Sequence, residues 1–91
     1  MTCRTLQWTD HFIYRFENRC ISKYLNFEDL LEVLKFQLSQ GNFVKDVKHK
    51  GVEGPRYHSI IEISEKVVLK VVLEKTAHCF KLITLWPKSS G

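Results

Sequence analysis

His11, Arg15 and Arg19 stand four residues apart, and on an α-helix that spacing lines their side chains up in one strip. The strip suits a phosphate. Guanidinium is planar, permanently charged and able to donate two parallel hydrogen bonds. Imidazole, with an ordinary pKa of about 6.5, can take or give a proton near neutral pH. The same residues also fit a solvated helix face, with Asp10 and Glu17 as ion-pair partners. The second half of the chain adds a looser set. Lys70 interrupts an aliphatic run, and a cation in mid-strand must face water or meet an anion. Thr84 offers a hydroxyl, although threonine is also a common strand residue. Trp86 either caps the core or gives a base a stacking surface. His58 and Glu62 are further groups able to move a proton. Lys45, Lys48, His49 and Lys50 make a basic strand and turn, which reads equally as a charged sheet edge.

Positioning such groups takes a folded scaffold, and 91 residues make a single domain, 1–91. With 44% apolar and 26% charged residues, the chain is neither disordered nor fibrous. Aliphatic runs such as Val67-Val68-Leu69 meet a charge after three residues, too soon for a membrane-spanning helix or a secretory core. Basic side chains number 14 and acidic ones 10, and the resulting +4 fits an anionic partner. Cys3, Cys20 and Cys79 are odd in number and far apart, which suits free thiols in a reducing cytoplasm rather than a disulfide framework. No His or Cys pair has ligand spacing, and adjacent His78 and Cys79 do not suit one tetrahedral ion. Neither a metal nor another cofactor is expected.

The pattern splits the chain into a helical half and a strand-rich half. A short edge strand at Thr5 to Trp8 leads to an N-cap at Thr9 or Asp10 and a helix reaching about Cys20. Phe12, Ile13, Phe16 and Cys20 share its apolar side. A second helix starts at Asn26 with Glu28 and Asp29 in its first turn. Leu30, Leu31, Leu34 and Leu38 form its stripe, and Gly41 stops it. Beyond Gly41 the period becomes two. Asn42 to Lys50 reads as a basic strand, and Arg56 to Ile63, Val67 to Glu74 and Cys79 to Trp86 read as an antiparallel meander. Pro87 closes the last strand and 88–91 is a flexible tail. The fold class is α+β: two N-terminal helices on one face of a three- to five-stranded antiparallel sheet, in the order β-α-α-β-β-β-β.

Loops of three residues at Ser64 to Lys66 and at Thr76 to His78 set a definite register. It aligns Ile60, Lys70 and Thr84 across the sheet, then Glu62, Val68 and Trp86, then His58, Val72 and Leu82. The opposite face carries Ile61, Ile63, Val67, Leu69, Val71, Leu73, Ile83 and Leu85, and that aliphatic face must lie under the helices.

The stretch from Asp10 to Ser22 resembles the opening His-x-x-x-Arg-x-x-x-Arg-x-Ile-Ser of a family of small prokaryotic proteins similar to RelE-type and BrnT-type toxins. The Thr-x-aromatic end of that family's last strand is matched by Ile83-Thr84-Leu85-Trp86-Pro87, so the resemblance spans nearly the whole chain. The wider group is the barnase/EndoU/colicin/RelE-like ribonuclease fold. Its colicin D-like members pair a helical His with a late Ser-x-Trp, which His11, Thr84 and Trp86 match. Trp8 departs from that pattern, standing where it has Lys.

The resemblance implies a metal-independent endoribonuclease toxin, acting on tRNA or mRNA and neutralised by an acidic antitoxin or immunity protein. RNA carries its own 2′-hydroxyl nucleophile, so the protein has to move protons and stabilise charge. His11 moves a proton. Arg15, Arg19 and Lys70 hold the phosphorane, and Thr84 donates to a non-bridging oxygen. His58, Glu62 and Trp86 contact the substrate, with His58 or Glu62 as the second acid or base. Two other functions fit the same residues: a phage- or plasmid-type protein that docks on another protein, and a nucleic-acid-binding module without chemistry.

Overall fold

The structure, a computed structural model, describes residues 6–19, 21–50, 55–76 and 80–89, with the backbone only for 46–50 and 89. The three cysteines, Thr5 and His78 lie outside the described residues, as do the side chains of Lys48, His49 and Lys50. Eight elements follow in order: β1 (Gln7–Trp8), α1 (Asp10–Asn18), a 3₁₀ turn (Ile21–Lys23), α2 (Phe27–Ser39), β2 (Val44–Lys50), β3 (Pro55–Glu62), β4 (Val67–Lys75) and β5 (Phe80–Ser89). The domain is α+β. Its five strands form one sheet in the order β1-β5-β4-β3-β2. The expected all-antiparallel sheet is instead mixed, because β1 pairs parallel with β5 through Gln7 and Lys81 and through Trp8 and Leu82. A two-residue strand can do this because α1 follows at once and carries the chain away along the edge of β5.

Both helices begin where their sequences dictate; α2 also ends where expected, while α1 stops at Asn18, short of the expected Cys20. The Thr9 hydroxyl accepts from the Phe12 backbone N–H at 3.1 Å, and Asn26 Oδ1 accepts from Asp29 N–H at 2.8 Å. At the end of α2, Gly41 adopts φ +74°. Its N–H donates to Leu38 O at 3.2 Å and Asn42 N–H to Gln37 O at 2.9 Å, which is a Schellman closure.

Phe12 and Phe16 from α1 and Leu30, Leu34 and Leu38 from α2 are buried against Ile61, Leu69, Val71, Leu73, Leu82 and Leu85 of the sheet. Phe27 sits at the centre of the helix side, edge-on to Trp8, Phe12 and Phe16 at centroid distances of 5.3, 6.1 and 5.3 Å.

Between β3 and β4 the register is the one expected: Ile60 faces Lys70, His58 faces Val72 and Glu62 faces Val68. Between β4 and β5 it is not. Lys70 pairs with Trp86 rather than Thr84, Val72 pairs with Thr84 rather than Leu82, and Val68 pairs with Lys88 rather than Trp86. Two single-residue differences add up to this shift. Lys75 pairs with Phe80, so the turn holds four residues, 76–79, rather than three. Then Leu73 pairs with Leu82 while Val72 pairs with Thr84, leaving Ile83 as the extra residue of a β-bulge. The longer connection sets Leu82 opposite Leu73 on the helix side, where it is fully buried, and the bulge leaves Ile83 half-buried. Two shifts of one residue restore parity, so Thr84 and Trp86 stay on the bare face with new neighbours.

Pro87 does not end β5, and Lys88 and Ser89 are strand residues rather than tail. Beyond Leu82 the outer edge of β5 faces α1, not a strand. Thr9 Oγ1 donates to Ile83 O at 3.2 Å, and an Arg19 guanidinium nitrogen donates to Leu85 O at 2.9 Å. Pro87, two residues on from Leu85, turns its ring nitrogen to that same outer side and removes no ladder bond.

Candidate nucleic-acid interface

The face of the sheet away from the helices carries four cross-strand rows. Glu62, Val68 and Lys88 form the first, and Ile60, Lys70 and Trp86 the second. His58, Val72 and Thr84 form the third, and Arg56, Glu74 and Lys81 the fourth. α1 lies beside β5, and its Arg19 reaches this face at Trp86. Its polar side chains stay off the core because Phe12 and Phe16, on the neighbouring side of the same helix, take the buried positions.

Three of the residues singled out by sequence converge at Trp86. The Arg19 guanidinium lies 5.8 Å from the Trp86 ring centroid and the Lys70 ammonium 5.3 Å from it. Arg19 is doubly fixed, since it also donates to Leu85 O. All three are half-buried, and partly desolvated cations hold to an indole face by roughly 0.5–2 kcal/mol each. An aromatic ring flanked by two basic side chains offers a stacking surface next to phosphate-binding groups.

His11 and Arg15 form a separate pair on the same strip. Arg15 Nε donates to His11 Nε2 at 3.3 Å, so in this arrangement Nε2 carries the lone pair and any ring proton sits on Nδ1. His11 is exposed and Arg15 half-buried, its guanidinium 5.9 Å from the Tyr14 ring centroid. Neither Asp10 nor Glu17 pairs with the strip among the described residues, which removes the salt-bridged reading of this helix face. No hydrogen bond joins His11 or Arg15 to Thr84 among the described residues, so the structure leaves the hydroxyl apart from the imidazole.

Of the remaining candidates, Glu62 is exposed at the end of β3, beside Val68 and one row away from Lys70. His58 is half-buried in the row of Thr84, with Val72 between them. Sequence reasoning missed the fourth row. Glu74 is only 4% exposed on a face no helix covers, directly between Arg56 and Lys81. Its even position, shared with Lys70 and Val72, and the β3–β4 register that sets it beside Arg56 were the available signals, but Lys81 depends on the length of the connection from β4 to β5.

No group of three or more His, Cys, Asp or Glu suited to a metal occurs among the described residues. No helix among them is long and apolar enough to cross a membrane. Comparison of the chain with protein-family models, with curated proteins and with solved structures finds no match. Function therefore has to be argued from the site.

Proposed function

We propose that the bare sheet face and the α1 strip bind RNA and cleave it without a metal. The observation that carries this is the convergence of Arg19 and Lys70 on Trp86. A base stacks on the indole while the two cations meet the flanking phosphate, the pairing of aromatic and basic groups that single-stranded nucleic acid requires. The resemblance of the α1 strip and of the β5 ending to RelE-like toxins agrees with this reading.

The chemistry falls to the His11–Arg15 pair. A phosphate draws Arg15 to its own oxygens, because a charge-assisted bond to an anion outcompetes one to a neutral imidazole. That frees the lone pair on His11 Nε2 to take the proton of the 2′-hydroxyl. The 2′-oxygen attacks phosphorus, the P–O5′ bond breaks, and the leaving oxygen takes a proton from solvent. Arg15, Arg19 and Lys70 bear the extra negative charge of the phosphorane, with Thr84 as an additional donor. An acidic antitoxin-like protein covering the same face would inhibit by excluding RNA, with association that slows steeply as salt rises.

The deciding experiment is incubation with an RNA oligonucleotide and with its DNA counterpart, each with and without EDTA. RNA should be cut to 2′,3′-cyclic phosphate ends in both buffers and DNA left intact. RNA that is bound but never cut would favour the second reading, a binding module without chemistry. That alternative rests on a specific observation: the groups that meet at Trp86 are binding groups, and no hydrogen bond links His11 to Thr84 among the described residues.

A further inference from the structure

Two polar atoms on β3 are buried and bare. Arg56 Nε and His58 Nδ1 are closed off from solvent and have no hydrogen-bond partner among the described residues. They belong to adjacent same-face positions of one strand, so both side chains stand on the bare face about 7 Å apart along it. A buried donor left without an acceptor is destabilising, and such atoms are rare in folded proteins unless a ligand or water completes them. The surroundings specify the ligand. Arg56 and Lys81 flank Glu74 in the next row, and the buried carboxylate compensates cations that would otherwise repel each other. Arg56 presents a planar fork of donors, and the bare imidazole nitrogen, when protonated, is a donor too.

We infer that Arg56 and His58, both half-buried, turn these atoms outward to form a second anion position that takes the oxygens of a phosphate group. It lies apart from Trp86: Arg56 is four residues, about 13 Å, from the row of Trp86 along β3 and two strand spacings, about 10 Å, across the sheet, or about 16 Å in all. An extended nucleic-acid strand covers that separation in about two to three nucleotides. A chain stacked on Trp86 and running diagonally over the sheet therefore delivers an internal phosphodiester to Arg56 and His58. Only this last step rests on the RNA reading; the anion position rests on the two bare atoms. Single-stranded RNA of three or more nucleotides is then the substrate class, since a duplex cannot lay one backbone along a strand while its bases stack on an indole.

The test has two arms. In the first, the wild-type protein is titrated with inorganic phosphate and followed by NMR at the side chains of His58 and Arg56. Saturable shifts centred on these two residues support the site, and their absence overturns it. In the second, 2′-O-methyl oligonucleotides, which cannot be cleaved, are bound to wild type and to Arg56→Gln. Tetranucleotide affinity should fall about tenfold, the usual scale for one charge-assisted hydrogen bond, while the affinity of a 2′-O-methyl nucleoside, which has no phosphate, stays the same. The slope of log affinity against log salt should shrink by about 0.7 for the tetranucleotide. Equal losses for both ligands, or none for either, would overturn the two-position track. Should the wild type bind phosphate at His58 but no oligonucleotide, the RNA reading fails and the anion position stands.

Discussion

The two faces of the sheet are built from the same strands and obey different rules. Under the helices, Leu69, Val71, Leu73, Leu82 and Leu85 are fully buried and uniformly aliphatic, so any well-packed hydrocarbon satisfies the position. On the other face, Val72 and Glu74 are 6% and 4% exposed, yet Val72 stands outside the core cluster and Glu74 is charged. Burial there coexists with Arg56, His58, Lys70 and Thr84 in adjoining positions. Hydrophobic burial does not require a carboxylate between two cations, nor two bare polar atoms. The covered face reports on folding. The bare face reports on what the domain meets.

Substitutions on neighbouring residues can break or sharpen that division. The largest effect should come from His11→Ala, which removes roughly 10²–10⁴-fold of RNA cleavage and leaves the unfolding midpoint in urea unchanged. On the same helix, Phe16→Ala should cost about 3–5 kcal/mol of stability by the same urea measurement, because its ring is buried against Phe27. Unfolding of the His11 variant, or full stability of the Phe16 variant, would erase the contrast between the two sides of α1. Gly41→Ala should cost about 1–2 kcal/mol: no atom crowds the position, so the whole penalty is the left-handed backbone. RNA affinity of that variant, measured by fluorescence anisotropy, should match the parent. The smallest effect belongs to Lys70→Ala. Stability should fall by only about 0.5 kcal/mol, the low end for a partly exposed cation–π contact. The salt slope of RNA binding should fall by about 0.7, one phosphate contact's worth. A Lys70 variant with unaltered salt dependence would show that Trp86 is capped by its cations rather than prepared for a ligand.

What could be read in the sequence follows from which interactions are local. The caps at Thr9 and Asn26, the closure at Gly41 and the short turn between β3 and β4 are each determined within a few residues. The aliphatic face was legible because parity needs no knowledge of pairing. Pairing itself was lost at β5. The turn at 76–79 and the bulge at Ile83 each displaced the strand by one residue, and nothing at either position announced it. The candidate site inherits the same division. The strip His11, Arg15 and Arg19 lies on one helix and was visible from spacing alone. Trp86 was legible as an exposed-face aromatic but was matched to Val68 instead of Lys70, and the Arg56–Glu74–Lys81 row was missed although its Arg56–Glu74 half follows from the β3–β4 register. The strand at β1 was legible but its parallel pairing was not: two residues leave no periodic trace of direction, and the partner lies more than seventy positions away.

The contacts that α1 makes along β5 also bear on how copies of this domain can associate. Thr9 and Arg19 occupy carbonyls that would otherwise be free to accept a strand from another molecule, and Pro87 contributes no donor there. Past the two residues of β1, the sheet is thereby shielded along β5, while β2 is its last strand on the other side. A second copy that pairs β2 with β2 does so about a two-fold axis. Such a union consumes the longer open edge of each partner. Among the described residues, the nine-residue helix α1 leaves only the short β1 on the opposite side from which a sheet could grow further.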